Sequence, residues 1–415
     1  MTSRMPLDGV RVVDLTMVWA GPFGTRMLGD YGAEVIKVES PRQWDQLRAL
    51  GLTPRTTPRW YNMSAYFNHN NRDKYGLALD LRAEGGREVL LRLCALSDVI
   101  VENFRSDVMD NLGLGYEEVR SVNPGIIYVS MPGHGKTGPE KDYVAYGTNV
   151  EQLAGIVSVS GYEGGEPMKT GFSYGDPMAG TALVGAVAMA LRQRARTGEG
   201  TYVELAQREN LGMFVGEFVV DYSMNGKVRP PIGNRHPHLA PHNRYPSAGD
   251  DRWVVVACED DAQFGALCRA MGQPELASDD RFATNAARKA NEDELDVVIS
   301  AWTAARGHYE AMHLLQHAGV PAGAVLTVPE LVADPHMRSR GAWVEHTAPD
   351  AGTWEMEAPP WRLGRTPGHI RLPAPGFGEH NEYVLRGLLG MSEAEVAALY
   401  SSGAVADSPD EAQHI

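Results

Sequence analysis

The stretch RVVDLTMVWAGPFGTRMLGDYGAEVIKVE, residues 11–39, decides the fold. RVVDLT (11–16) is an apolar run, VWAGP (18–22) a turn, FGTRMLGDYG (23–32) a helical pattern, and AEVIKVE (33–39) a second apolar run that reads as a buried strand. Strands apolar on both faces need helices on both sides, and strands joined through a helix run parallel. The cycle recurs: GLALDL (76–81) precedes the amphipathic EGGREVLLRLCALS (84–97) and DVIVEN (98–103), and YEEVRSVNPG (116–125) leads into IIYVSM (126–131). The repetition predicts an α/β fold with a Rossmann-like parallel sheet. In such sheets ligands bind beyond the carboxyl ends of the strands, so the loops after residues 16, 39, 81, 103 and 131 are where a site is expected.

With 415 residues the chain is too long for one ordinary core. A helix is predicted from GDP (175–177) to about Arg194, then a strand and helix in TGEGTYVELAQRENL (197–211). The Pro-, Asn- and His-rich segment 225–251 marks a linker or exposed loop. Beyond it, RWVVVAC (252–258), several helical patterns and AGAVL (322–326) predict a smaller α/β domain. AWVEH (342–346) and TWEMEAPPWRL (353–363) read as a hairpin. The expected domains are 1–225 (large), 226–335 (linker and small domain), 336–400 (return to the large domain), and 401–415, a disordered tail.

The composition, 43% hydrophobic and 22% charged, is that of a folded soluble protein. A net charge of −15 argues against a nucleic-acid binder, which needs clustered Lys and Arg. Cys94, Cys258 and Cys268 are odd in number and lack ligand spacing, as expected of buried thiols in a reducing cytoplasm. MTSRMPLDGV lacks a signal-peptide core, and TALVGAVAMAL (181–191) is too short to span a bilayer, so neither secretion nor a membrane is expected.

Several motifs mislead. GHGKTG (133–138) matches G-x-G-x-x-G but does not open into a helix, which a pyrophosphate site requires, so a dinucleotide-dependent oxidoreductase is a remote alternative. Its Gly-Lys-Thr lacks the leading glycine of a P-loop, since that position is Ser130. Glu39 is read as structural. His236, His238 and His242 have no carboxylate or cysteine at ligand spacing and read as loop polarity, so no metal is expected.

Asp176 admits two readings. Before Pro177 it has the pattern of a helix cap, its carboxylate accepting free N–H groups with proline at the first helical position. The same place suits a nucleophile: the helix dipole favours the ionised form, and Gly175, Ala179 and Gly180 leave room for a bulky substrate. Local pattern does not choose between them.

Seven segments, PLDGVRVVDLT (6–16), VWAGPFGTRMLGDYGAEVIKVE (18–39), NRDKYGLALDL (71–81), DVIVENF (98–104), NPGIIYVSMPGHGKTGP (123–139), GDPMAG (175–180) and GEHNEYVLRGLLGMS (378–392), together resemble the family III CoA-transferases. That family includes formyl-CoA and carnitine CoA-transferases, and its fold is shared with 2-methylacyl-CoA racemases. The resemblance implies that Asp176 is the nucleophile and that CoA passes from an acyl-CoA donor to a carboxylic acid through an acyl anhydride and an aspartyl-CoA thioester. No metal or tightly bound cofactor is implied; CoA is a co-substrate. N–H groups of the glycine-rich segment before Asp176 are expected to meet the oxyanions. Carried over from the family, CoA contacts fall on Val18 and Ala20, on Leu79, Leu81 and Arg82, and on Asn103 and Phe104.

The chain also departs from the family's pattern. Ser40 and Asn111 replace basic residues, and Arg105, Lys37 or Lys136 are the expected substitutes. A racemase pairs its aspartate with a histidine roughly thirty residues upstream, because removing and returning a proton takes two groups. No histidine lies between Gly135 and Gly171, and Tyr146 is near that spacing, which favours transfer. A racemase-like or non-catalytic CoA-binding protein is the alternative. The resemblance further implies an interlocked homodimer, with which linkers around 205–240 and 330–345 are compatible. Arg48, Arg55, Arg59 and His69 are expected near the acyl group, suiting a dicarboxylate such as succinate, and Tyr146 and Tyr174 are candidates for the acyl pocket.

Overall fold

A computed structural model describes residues 4–50 and 55–410. The decisive stretch forms β1 (Arg11–Asp14), α1 (Ala20–Asp30) and β2 (Glu34–Glu39). There follow α2 (Ala65–Asn71), β3 (Lys74–Ala78), α3 (Gly86–Ala95), β4 (Val99–Glu102), α4 (Val108–Asn111), α5 (Tyr116–Val122) and β5 (Ile127–Ser130). Then come α6 (Gly147–Leu153), α7 (Gly175–Thr197), β6 (Thr201–Glu204), α8 (Gln207–Gly212) and α9 (Gly216–Asn225). No helix opens between residues 133 and 146, so GHGKTG is a turn-rich loop.

β1 to β6 form one parallel sheet in the order β3-β2-β1-β4-β5-β6. Successive side chains leave opposite faces, so each central strand feeds two apolar layers. Val13, Ile36, Leu77, Ile100 and Tyr128 pack with α3, α5 and the C-terminal segment. Val12, Val35, Val99 and Ile127 pack with α1 and α7. The last two helices touch backbone to backbone: a Cβ on Gly24 would lie 2.5 Å from the Gly180 carbonyl oxygen, and one on Gly180 2.6 Å from that of Ala20. The chain order reverses between β1 and β4, and the crevice above their carboxyl ends is where this topology binds ligands.

Two compact units emerge. The larger contains residues up to Val157, Lys169–Lys227 and Ser339 onward. The smaller comprises Ser158–Met168 and Val228–Arg338, so 158–168 groups away from the first segment in which the sequence reading had put it. Within the smaller unit β7 (His242–Pro246), β8 (Trp253–Ala257) and β9 (Ala322–Val325) form an antiparallel sheet. Its core joins Val254 and Val256 to Phe264, Leu267, Leu295 and Leu315 of α10 (Asp261–Met271), α12 (Glu292–Thr303) and α13 (His308–His317), α11 (Asn285–Ala290) lying between α10 and α12 in sequence. After α14 (Val328–Ala333) and α15 (Pro335–Ser339), the antiparallel hairpin β10 (Trp343–Ala348) and β11 (Gly352–Glu357) belongs to the larger unit. Glu357 of β11 ties it to that unit through Arg26 at 2.7 Å and Arg72 at 3.2 Å.

Two expectations need correction. Residues beyond α16 (Glu393–Ser401) are not a disordered tail: Ala404 and Val405 are buried, Asp80 N–H donates to the Ala404 carbonyl (2.7 Å), and Asp410 N–H to that of Pro41 (2.8 Å). Those apolar contacts lie under β3, out of reach of a local reading, while residues 411–415 lie outside the described residues. The segment 207–225 is helical rather than an extended linker.

Candidate active site

At the switch point the loops after β1 and β4 are tied together. Asn103 accepts the Met17 N–H through Oδ1 and donates to the Met17 carbonyl through Nδ2, both at 2.8 Å. The next residue, Val18, has φ 66°, an unfavourable conformation for a β-branched side chain that surrounding contacts must impose. Asp45 supplies one: its Oδ1 accepts the Val18 N–H at 3.1 Å, while its Oδ2 pairs with fully buried Lys37 at 2.9 Å. Lys37 also donates to the Thr16 carbonyl. Lys37 is therefore a buried strut of this loop and not a substitute for a phosphate-binding residue.

A cleft of about 570 Å³ opens beside this loop. Its apolar wall includes Leu79, Leu81, Phe104, Val108 and Leu112, and Arg42 and Arg82 stand on its rim. An aromatic base suits the wall and phosphates suit the arginines, so the residues present fit CoA. Sequence reasoning missed Arg42. It follows Ser40 by two positions in SPR (40–42), and that spacing was the available signal.

A second cavity, of about 310 Å³, shares Met17, Gln46, Phe104 and Val108 with the cleft and reaches Asp176. Val18, Asn103, Arg105 and Tyr146 also line it. Ala20 does not reach either space; it is 2% exposed and packs between α1 and α7. Lys136 is also absent from both, its ammonium bonded to Asp110 at 3.0 Å and to the Ser106 carbonyl. Arg105 faces the second cavity but is engaged with Asp107 at 2.7 and 2.9 Å.

Asp176 is not a cap. The helix begins at Gly175 with Tyr174 as its flanking residue, so Asp176 is the second helical residue and Pro177 the third. Asp176 is 9% exposed. Burial, then the Glu151 carboxylate, push its pKa up to about 7, against a smaller lowering by a hydrogen bond from Ser173. The expectation that the helix terminus keeps it ionised is modified, because desolvation and a like charge raise its affinity for a proton. Glu151 on α6 is itself 2% exposed and accepts the Gly175 N–H at 2.7 Å. Gly147 at the start of α6 lies against the nucleophile candidate: a Cβ there would collide with Asp176 Oδ2. Trp19 lines the cavity, packs edge-on to Tyr66 at 5.3 Å and lies 6.3 Å from Phe172. Tyr66 is pushed up to about 12 by burial and by the charge of Asp176.

The residues expected near the acyl group are elsewhere in the larger unit. Arg48 is fully buried, bonded to Glu39 at 2.7 and 2.9 Å and to Asn62 at 2.9 Å. Arg55 stacks on Trp60, Arg59 pairs with Asp350 at 2.6 Å beside a separate 350 Å³ cavity, and His69 pairs with Glu357 at 2.9 Å. Their proximity in sequence to the first strands does not put them at the cavity, because other groups engage them: Glu39 for Arg48, the Trp60 ring for Arg55, and the distant carboxylates Asp350 and Glu357 for Arg59 and His69. Tyr174, 39% exposed, does not line the cavity, whereas Tyr143, Tyr146 and Lys141 do.

Comparison with known proteins agrees with this architecture. The model of CoA-transferase family III matches residues 7–381. The chain is 38% identical over 395 residues to the succinyl-CoA–D-citramalate CoA-transferase of Chloroflexus aurantiacus, covering 95% of this chain and 96% of that protein. It is 36% identical over 385 residues to the succinate–glutarate CoA-transferase of Agrobacterium fabrum, covering 92% and 95%. Among solved structures, a CAIB/BAIF family protein from Brucella suis superposes with a TM-score of 0.84 at 35% identity, covering 93% of this chain and all (100%) of that one.

Proposed function

The chain belongs to CoA-transferase family III, and on that premise we propose that Asp176 carries CoA, as a thioester, from a dicarboxylic acyl-CoA such as succinyl-CoA to a carboxylic acid acceptor. One observation carries the reading: the buried Asp176 carboxylate lines a cavity that shares four wall residues with a cleft whose walls and charges fit CoA.

The ionised carboxylate attacks the donor thioester carbonyl, the C–S bond breaks, and a mixed anhydride and CoA thiolate result. The thiolate attacks the aspartyl carbonyl, releasing the donor acid and leaving the aspartyl-CoA thioester. The acceptor carboxylate attacks that thioester, giving a second anhydride and the thiolate again. Attack of the thiolate on the acceptor acyl carbon completes the new acyl-CoA and restores Asp176. Each step exchanges one acyl bond for another, no proton is consumed, and no redox group is required. A carboxylate with a pKa of about 7 is substantially ionised at neutral pH and, being poorly solvated, a stronger nucleophile than an exposed one.

Lys141, on the cavity lined by Asp176, supports a second carboxylate on the substrate, as do the dicarboxylates in the names of the two relatives. CoA itself is assigned to Val18, Leu79, Leu81, Arg82, Asn103 and Phe104, with Arg42 in place of Ala20 and Lys136. An interlocked homodimer is part of the proposal; Met189, Met213, Phe214, Val219, Tyr222 and Met224 of α7 to α9 and the turn between them form an exposed apolar series that a second copy would cover. A cytoplasmic location is proposed with it. Among the described residues no helix is long and apolar enough to cross a membrane.

The test is intact-protein mass spectrometry after mixing with succinyl-CoA, followed by peptide mapping. A CoA-sized adduct on Asp176 that discharges when a dicarboxylate acceptor is added is expected. Absence of any adduct from a panel of acyl-CoA donors, with the protein folded and CoA bound, would overturn the reading.

A further inference from the structure

Two buried carboxylates meet at the start of α7. Glu151 Oε1 accepts the Gly175 N–H at 2.7 Å, one residue before Asp176, and both acids are largely removed from water. A helix N-terminus can be satisfied by a hydroxyl or an amide oxygen just as well as by a carboxylate, so the negative charge of Glu151 requires a separate explanation. Other groups around Asp176 do not cancel it. Tyr66 on α2 is a neutral phenol at physiological pH, Ser173 before the helix is a neutral donor, and Tyr143 and Tyr146 bring no cation to the cavity they line. Arg105 is engaged by Asp107, and Lys141, although it lines the cavity, is exposed. Arg208 of α8 pairs with Glu140 rather than with Glu151.

We infer that Glu151 is a positioning residue for the transfer reaction: it fixes the first turn of the helix that bears Asp176 and holds a second negative charge against it, so that acylation, which removes the charge on Asp176, is favoured. The inference rests on Asp176 being the nucleophile. Free Asp176 is destabilised by its neighbour; in the anhydride and in the aspartyl-CoA thioester its carbonyl is neutral and the repulsion is gone. An interaction stronger in the reactant than in the acylated form lowers the barrier between them.

The experiment is the rate of adduct formation on Asp176 from succinyl-CoA against pH, in the wild type and in Glu151→Gln. The glutamine retains an oxygen for the Gly175 N–H and removes only the charge. In the wild type the rate should rise through an inflection near pH 7. In Glu151→Gln the inflection should move to lower pH by roughly one unit, and the alkaline plateau should fall several-fold. A plateau that falls with the inflection unmoved would mean a structural role alone and would overturn the inference, as would a shift toward higher pH. No adduct in the wild type would instead overturn the nucleophile assignment. If Glu151→Gln fails to fold, the wild-type profile can still overturn the inference, since an inflection near pH 4 would leave no destabilising charge on Asp176.

Discussion

Replacing Asp176 by asparagine tests the buried charge and the chemistry together. An aspartate pKa raised from 3.8 to about 7 means that the folded state binds the proton more tightly than the unfolded chain. The penalty therefore grows as pH climbs through the interval between these values and is complete above pH 7. About three pKa units at 1.36 kcal/mol each is about 4 kcal/mol at alkaline pH, falling to about 2 kcal/mol near pH 5.5. Asparagine keeps the shape and a hydrogen bond to Ser173 without the charge. Asp176→Asn should thus be more stable than the wild type, with an advantage that is about 2 kcal/mol larger at pH 8.5 than at pH 5.5. In a unit of this size that difference corresponds to about 3 °C in Tm. The assay is differential scanning fluorimetry of both proteins across that range, with turnover measured on the same samples. Turnover and adduct should be lost at every pH. A stability difference independent of pH would refute the buried-charge argument, and turnover within tenfold of the wild type would refute the nucleophile assignment.

Two further outcomes follow from the same geometry. Gly147→Ala pushes a methyl group into Asp176 Oδ2; overpacking of this kind costs about 1–3 kcal/mol, and adduct formation should fall by more than tenfold while the far-ultraviolet spectrum is unchanged. Normal adduct kinetics in that variant would show that α6 does not sit against the nucleophile. Removing Arg42 and Arg82 together should raise the KM for acyl-CoA at least tenfold, flatten its dependence on salt, and leave kcat within a factor of about three. An unchanged KM in steady-state kinetics would move the phosphates away from the cleft.

The alternation of apolar runs and helical patterns over residues 11–131 was enough to predict a parallel sheet and to direct the search to the strand ends, because burial on both faces leaves a continuous apolar signature in each strand. That is why the loops that carry Val18, Leu79, Leu81, Asn103 and Phe104, which line the two cavities, were expected at the strand ends, while their assignment to CoA came from the family resemblance. The place of Asp176 beside the first turn of a helix was legible too, since Gly, Asp and Pro in succession mark a helix start. Its chemistry was not. Whether that carboxylate caps a helix or lies desolvated beside Glu151 depends on α6 folding over α7, a contact between residues 24 positions apart.

The basic residues make the same point. Lys37, Arg48 and Arg82 all look like available cations in the sequence. Asp45 and Glu39 claim the first two in the interior, and Arg82 stays on the rim of the cleft. A side chain's type and its strand are local properties written in the pattern of neighbouring residues. Which charges remain available to a substrate, and what proton affinity they have, is set by desolvation and by partners that only folding brings into contact, so only the tertiary structure decided them.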